Sequence, residues 1–143
     1  MLQIGARVSG YASSFGRPVI IGKFPNDARA LVETGLEAHL RTFDWLKSGT
    51  PAREVDRLYR EFLKNHGAED CNLYGPCHGT GLMEGEHPWI EANSDYLLEP
   101  GLTFMADTFL KRDGYGLRWE DQLAITKTGT DVFTNAYLEI IQL

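Results

Sequence analysis

Gly75-Pro-Cys-His-Gly-Thr-Gly-Leu82 places one histidine among three glycines in this 143-residue chain. Glycine adopts backbone angles that other residues avoid, and it lets a ligand approach the chain closely. His78 therefore lies on a constrained and accessible segment, which makes it a candidate functional residue. A turn that carries a merely solvated histidine is the alternative for this segment taken alone.

Downstream acids lie in apolar strand-like or turn sequence instead of on charged faces: Glu86, Asp107 and Glu120. Asp107 is enclosed by Phe104-Met-Ala-Asp-Thr-Phe109, where a buried carboxylate needs an ion or a hydrogen-bonding partner. Glu120 lies in Leu117-Arg-Trp-Glu-Asp-Gln-Leu123, and Arg118 is a candidate partner for it. A structural salt bridge also explains each acid when it is considered by itself.

Before the glycine-rich segment, the sequence predicts a hairpin followed by two helices. Alternating apolar residues predict two strands within residues 2–21. Apolar residues at helical spacing predict a first helix that opens with Asn26 as its N-cap and ends at Ser48-Gly49. Thr50-Pro51 then starts a second helix by a cap followed by a first-turn proline, and Gly67 closes it.

After the helices, the sequence predicts antiparallel strands. Residues 74–90 are glycine-rich and extended. Strand-like runs at 102–110 and 117–126 flank a turn at 111–114, and a last short strand is predicted at 131–133. The order of hairpin, two helices and strands gives an α+β fold class.

Composition excludes several kinds of partner. The net charge of -6 leaves no basic stripe that could displace counterions from nucleic-acid phosphates. No apolar run approaches the roughly 18 residues that a membrane span requires. Two cysteines do not make a disulfide framework. We therefore expect a soluble, cytoplasmic protein that binds neither nucleic acid nor membranes.

Cys77-His-Gly-Thr-Gly-Leu82 resembles the His-Gly-x-Gly-Leu segment of creatinase, prolidase (Xaa-Pro dipeptidase) and aminopeptidase P, the proteins of peptidase family M24. The similarity continues in order and spacing through Glu86-x-Pro88, Leu98-Glu-Pro-Gly-Leu102 and Gly116-Leu-Arg-Trp-Glu-Asp121. Upstream, residues 4–17 resemble the family's metal-bearing hairpin. The resemblance implies that residues 1–143 form the second half of a pita-bread catalytic domain, a curved antiparallel sheet with two helices packed on it.

The same resemblance implies a damaged metal site. Active peptidases of the family hold two metal ions on two aspartates, one histidine and two later glutamates, and a bridging hydroxide attacks the scissile carbonyl. Here the last three positions are His78, Asp107 and Glu120, whereas Gln3 and Ser14 stand at the two aspartate positions. An amide and a hydroxyl are neutral and cannot supply the negative charge that a pair of divalent metal ions requires. The expectation is at most one divalent ion (Mn, Co, Fe or Zn) on the three remaining residues.

Three functions stay open for such a site. The first is a metal-assisted hydrolase of small peptides, related to Xaa-Pro dipeptidases. The second is metal-free hydrolysis of a C–N bond in a small amide, as in creatinase, with His78 moving a proton while Glu120 or Glu86 orients substrate or water. The third is a peptide-binding domain without catalysis. His87 and Arg118 are the candidate substrate contacts, and His87 also a candidate catalytic residue.

The hairpin at the start of the chain predicts a partner. Leu2 and Ile4 are apolar residues that favour a buried face, yet no preceding sequence covers their strand. A homodimer would bury this strand around a twofold axis, and pairing with a missing first half of the domain would do the same.

Overall fold

The computed structural model describes residues 1–143 and contains two α-helices, ten strands and one short 3-10 turn. Numbered in chain order, the elements are β1 Leu2–Val8, β2 Tyr11–Arg17, β3 Val19–Ile20, α1 Asn26–Trp45, α2 Ala52–Asn65, β4 Asn72–Tyr74, β5 Cys77–Gly79, β6 Glu86–Ile90, β7 Thr103–Arg112, β8 Tyr115–Ile125, β9 Thr130–Val132 and β10 Ile141–Gln142. The predicted α+β class is confirmed. Neither helix is both long enough and apolar enough to span a membrane.

Eight of the strands form one sheet whose main path is β1-β2-β8-β7-β5-β6. Strands β7 and β8 are its centre, and their antiparallel register runs from Thr103 opposite Ala124 to Arg112 opposite Tyr115. The link between them is Asp113-Gly114, with Gly114 at φ 87°, an angle that favours glycine. The strands and turn predicted for this region are confirmed, and both strands extend further into the turn than the sequence pattern indicated.

The two helices cover one face of the sheet. Alternate residues of β7 and β8 point towards them, and these side chains are at most 2% exposed: Phe104, Ala106, Leu110, Leu117, Trp119, Leu123 and Ile125. Leu110, Leu117 and Trp119 pack with residues of both helices: Leu31, Val32, Tyr59 and Leu63. The other four pack in a second cluster with Leu46, Ala52 and Val55. Because neighbouring residues in a strand point to opposite faces, the other alternate set, with Asp107 and Glu120, lies on the face away from the helices.

Both helix starts differ from the predicted caps. The N-cap of α1 is Pro25, so Asn26 is already a helical residue and its side chain does not cap the helix. The N-cap of α2 is Pro51 instead of Thr50, again without a side-chain cap bond. Proline fixes φ near the value that these cap positions adopt and needs no donor partner there, which explains why it displaces the usual capping residues. The predicted closing glycine, Gly67, has φ 63° and is confirmed.

A buried polar network ties the sheet to α1. The Arg17 Nη2 atom donates to Asp121 Oδ1 at 2.8 Å, and the His39 Nε2 atom lies 2.8 Å from Asp121 Oδ2. All three side chains are at most 1% exposed. The Thr134 hydroxyl donates to the same carboxylate at 2.8 Å. These contacts fix the position of β8 relative to β2 and the helix, and hence the direction in which Glu120 points.

Strand β1 is the edge of the sheet. All seven of its residues are exposed, including Leu2 at 46% and Ile4 at 47%. Strand β3 lies within the predicted strand region 2–21 and pairs in parallel with β10; strand β10 and this pairing were not predicted from the sequence. The apolar face of β1 thus has no cover within this chain.

Candidate functional site

Strand register brings four predicted site positions to one face. Asp107 lies directly opposite Glu120, and Glu120 lies opposite Gly16 of β2. Gln3 of β1 is opposite Gly16 as well. Residues directly opposite each other share a face of the sheet, and Ser14, two residues before Gly16, shares it too. The positions that the resemblance aligns with metal ligands therefore meet across four neighbouring strands.

His78 lies on the same face, one strand further along the sheet. It is opposite Met105, so it is a diagonal neighbour of Asp107, a relationship that separates Cα atoms by about 7–8 Å in antiparallel sheets. The imidazole is 2% exposed, and its Nδ1 atom lies 3.0 Å from the Gly79 carbonyl oxygen. A carbonyl can only accept, so Nδ1 carries a proton, and in the neutral ring the lone pair is on Nε2.

Aromatic rings hold the imidazole in place. The ring centroids of Trp89 and Tyr74 lie 5.2 and 5.9 Å from that of His78. On another side, a Cβ atom at Gly85 would lie 3.6 Å from the ring's Cε1 and Nδ1 atoms. His78 is thus packed by its neighbours and oriented by one backbone carbonyl, which leaves Nε2 as its chemically available atom.

Arg118 links the two buried acids. Its Nε and Nη2 atoms donate to the two Asp107 carboxylate oxygens at 2.8 and 2.6 Å. Its Nε atom is also 2.7 Å from Glu120 Oε2. Asp107 and Glu120 are fully buried, whereas the Arg118 side chain is 15% exposed. The partner that the sequence suggested for Glu120 is therefore present, and it holds Asp107 by a bidentate charge-assisted pair as well.

Gln3 and Ser14 point to the same place. The Gln3 Nε2 atom donates to Glu120 Oε2 at 3.3 Å and to the Ser14 hydroxyl at 3.5 Å. Both distances are at the long end for hydrogen bonds. The neutral residues at the two aspartate positions nevertheless converge on Glu120, as the alignment of these positions requires.

Burial raises the pKa of Glu120 to about 7, and the Ser14 hydroxyl and the Arg118 charge offset only part of this effect. Its Oε1 atom is buried and has no hydrogen-bond partner. Near neutral pH this carboxyl group is therefore able to exist in both protonation states, with one oxygen available for a further contact.

The residues present do not fit the metal pair of the family. A metal ion needs lone pairs, but Gln3 directs an N–H at Glu120, and both Asp107 oxygens are occupied by Arg118. No three His, Cys, Asp or Glu side chains are grouped so that they could hold a metal ion. His78, Asp107 and Glu120 lie on one face of the sheet, but they are not grouped as a metal site, and the guanidinium bonds both acids. Metal binding by these three residues stays a prediction.

Glu86 and His87 lie in and beside the loop that passes over His78. The Glu86 Oε2 atom accepts a hydrogen bond from the Met83 backbone N–H at 2.8 Å, which closes the loop. His87 is exposed, with its ring edge-on to Trp89 at 6.3 Å. Glu86 thereby holds Gly85 against the imidazole. Catalytic roles for both residues, and substrate binding by His87, stay predictions.

Sequence reasoning missed the aromatic residues around His78. Trp89 lies directly opposite His78 in the register of β5 and β6, and Tyr74 stands one residue before the glycine-rich segment. It also missed Glu84, whose carboxylate is 4.0 Å from Arg118. The alternation in residues 87–90 was the available signal for Trp89. Only the folded loop brings Glu84 to Arg118.

Curated relatives share the whole of this chain's length. An Xaa-Pro dipeptidase from Pyrococcus furiosus is 29% identical over 143 residues, covering 99% of this chain and 41% of the relative. The uncharacterized peptidase YqhT of Bacillus subtilis is 28% identical and is covered to 40%. The chain therefore spans about two-fifths of the length of these relatives.

Solved structures show the same fold over the same part of longer chains. An Xaa-Pro dipeptidase from Bacillus anthracis superposes with a TM-score of 0.92 at 30% identity, covering 99% of this chain and 41% of that one. A dipeptidase from Pyrococcus horikoshii gives a TM-score of 0.93 at 27% identity, with 99% and 40% covered. The predicted half of a pita-bread fold is confirmed by these likenesses.

The family assignment follows from a match over most of the sequence. The profile of metallopeptidase family M24 matches residues 1–127, which include the hairpin, both helices and the central strands β7 and β8. Every position discussed above, from Gln3 to Glu120, falls within the match. This chain belongs to metallopeptidase family M24.

Proposed function

We propose that this chain forms the second half of a hydrolase site that cleaves a C–N bond in a small peptide or small amide without a metal pair. The observation that carries the proposal is that His78, whose Nε2 atom is available, shares a face of the sheet with two acids that Arg118 already bonds. The dipeptidase names of the relatives make Xaa-Pro dipeptides the first substrates to test. Small guanidino and amide compounds are the second class.

The proposed chemistry uses His78 as the proton carrier. Its Nε2 atom accepts a proton from a water molecule as the water oxygen adds to the amide carbonyl carbon. The same atom then returns the proton to the leaving nitrogen as the C–N bond breaks. Glu120, whose pKa of about 7 allows a protonated form, donates a hydrogen bond to the carbonyl oxygen as negative charge develops there.

Arg118 and Glu84 give the site its polarity. Arg118 retains 15% exposure beside the buried acids, and the Glu84 carboxylate, at 48% exposure, lies 4.0 Å away. A cation and an anion at the rim suit a zwitterionic substrate such as a dipeptide, which carries both charges at its termini. In this proposal Arg118 contacts the substrate carboxylate and Glu84 the amino group, while His87 lines the exposed end of the loop.

A test compares two histidine variants of the full chain. The substitution His78→Ala is expected to abolish release of proline from Gly-Pro and Ala-Pro, and EDTA is expected to leave wild-type turnover unchanged. The control is His66→Ala, since His66 also bonds a backbone carbonyl through Nδ1, at 2.8 Å, but is exposed at the end of α2. Turnover that survives His78→Ala, or that EDTA abolishes, would reject this mechanism.

A peptide-binding domain without catalysis is the second candidate. It is favoured by the saturation of Asp107, since both of its oxygens are engaged by Arg118 and neither is available to activate water. Calorimetry distinguishes the two candidates. Binding of Gly-Pro without release of proline, lost on Arg118→Met, would identify a binding site.

The site also needs cover from outside this chain. We propose that a second copy of the chain, or a first half of the domain on another chain or on a longer form of this one, packs on the exposed face of β1. The relatives contain additional sequence amounting to about three-fifths of their length, which supports a role for such a half. A cytoplasmic setting remains part of this proposal.

A further inference from the structure

We propose that the Arg118 guanidinium is the resident cation of this site and that it excludes divalent metal ions from it. The starting observation is two fully buried carboxylates, Asp107 and Glu120, on adjacent strands. A buried carboxylate without a compensating charge is strongly unfavourable, so each one needs a cation. In this chain one side chain supplies the positive charge for both.

The shape of the guanidinium suits this role. Its planar fork makes two parallel bonds to Asp107 and a third contact to Glu120. The ring of Phe109, directly opposite Arg118 on β7, lies 5.7 Å from the guanidinium carbon. Arg118 therefore sits over a π face between its two acids and is held in one position by strand geometry.

The replacement of two of the family's four acids lowers the negative charge that one arginine has to balance. The family motif that matches residues 116–121 includes an arginine, so an arginine alone does not distinguish this chain. What differs is its surroundings, because four carboxylates around such an arginine leave a net charge of about -3 for metal ions to balance, whereas two leave only about -1. Gln3 and Ser14 stand where the other two acids would be, and they add no charge.

The remaining polar atoms are arranged for a cation that donates hydrogen bonds. Gln3 shares Glu120 Oε2 with Arg118, and both groups present N–H donors there. A divalent ion at this point would compete with Arg118 for both Asp107 oxygens and would meet a positive charge within a few ångströms, where like charges repel strongly in a buried site. This inference concerns cation binding alone and does not depend on the proposed hydrolysis.

The test is titration of the full chain with CoCl2, followed by calorimetry and by the visible absorption of bound Co2+. We expect no site tighter than about 1 mM in the wild type, and binding at least about tenfold tighter in Arg118→Met, which removes the charge at similar length. The matched control is Arg118→Lys, which keeps the charge and should behave like the wild type.

Two results would overturn the inference. One is micromolar Co2+ binding by the wild type that disappears in Asp107→Asn, which would place a metal at the acids despite Arg118. The other is a folded Arg118→Met variant with no gain in affinity. If that variant does not fold, the titrations of the wild type and of Asp107→Asn still decide the question. Weak Co2+ binding that Asp107→Asn leaves unchanged would come from other groups, such as exposed histidines, and supports exclusion of metal from the acids.

Discussion

Glu120 and Asp121 are adjacent in sequence, and their carboxylates lie on opposite faces of β8. Glu120 points to the site face and contacts Arg118, whereas Asp121 points to the helix face and binds Arg17 and His39. Both acids are fully buried. The same short segment therefore supplies the candidate site carboxylate on one side and the anchor that fixes its direction on the other.

The anchor should be essential for stability. The substitution Asp121→Asn leaves Arg17 buried without its charged partner, and breaking a buried pair in this way costs roughly 3–5 kcal/mol. Urea denaturation followed by circular dichroism should show that loss in the free energy of unfolding. Asp131→Asn is the control, at an exposed aspartate of the neighbouring strand β9. A loss below about 1 kcal/mol for Asp121→Asn would contradict a structural role for the network.

Glu120 should make stability depend on pH. Its pKa is raised by burial from 4.5 to about 7 in the folded chain, so between these values the folded state holds a proton that the unfolded state releases. The contribution of the protonated Glu120 carboxyl group to the stability of the fold is complete below pH 4.5 and is lost as pH rises through 7. The difference in the free energy of unfolding between Glu120→Gln and wild type should therefore favour the variant more at pH 8 than at pH 5. Urea denaturation of wild type and variant at pH 5 and pH 8 measures this difference, and Glu99→Gln, at an exposed acid, is the control. If the difference between Glu120→Gln and wild type were the same at both pH values, the raised pKa would be refuted.

The glycines around His78 should not be equivalent. A Cβ atom at Gly79 would lie 2.7 Å from the backbone oxygens of both Glu86 and His87, which cannot move without separating β5 from β6. At Gly85 the nearest atoms are 3.6 Å away. We expect Gly79→Ala to destabilise the chain by about 1–3 kcal/mol or more, as overpacking does, and Gly85→Ala to have a much smaller effect. Thermal denaturation of both variants decides, and equal melting temperatures would show that the two strands are not held so closely.

These glycines also show how far sequence reasoning reached. The Gly-rich segment predicted that a ligand approaches closely at His78, and this stays a prediction. The close approach that the structure contains is that of strand β6 to Gly79. Alternation predicted β7 and β8, because one side of each strand must be apolar to pack under the helices. The meeting of Gln3 and Ser14 with Asp107 and Glu120 was accessible only through the family resemblance, since it depends on the pairing of β2 with β8, which joins residues more than a hundred positions apart.

Other features were not predictable from local pattern. The same acid side chains are compatible with a metal site and with an ion pair, and the choice depends on where the Arg118 fork points after folding. The anchor of Asp121 combines Arg17, His39 and Thr134 from three separate parts of the chain. Such buried polar networks leave no periodic signal, because each partner is a single residue in an otherwise apolar stretch.

Self-association is the last expectation, and it concerns the face of β1. Leu2 and Ile4 are about half exposed there and line an apolar groove with Phe15, Tyr137 and Ile141. An exposed edge strand with an apolar face tends to pair with another chain, and a second copy offers an identical strand around a twofold axis. Light scattering of the full chain at micromolar concentration should give the mass of a dimer. Ile4→Glu should reduce that mass towards the monomer, whereas Leu73→Glu, at an apolar residue of β4 that is 52% exposed, should not. A folded wild-type monomer at this concentration would remove the homodimer and leave a first half of the domain, on another chain or on a longer form of this one, as the partner for this face.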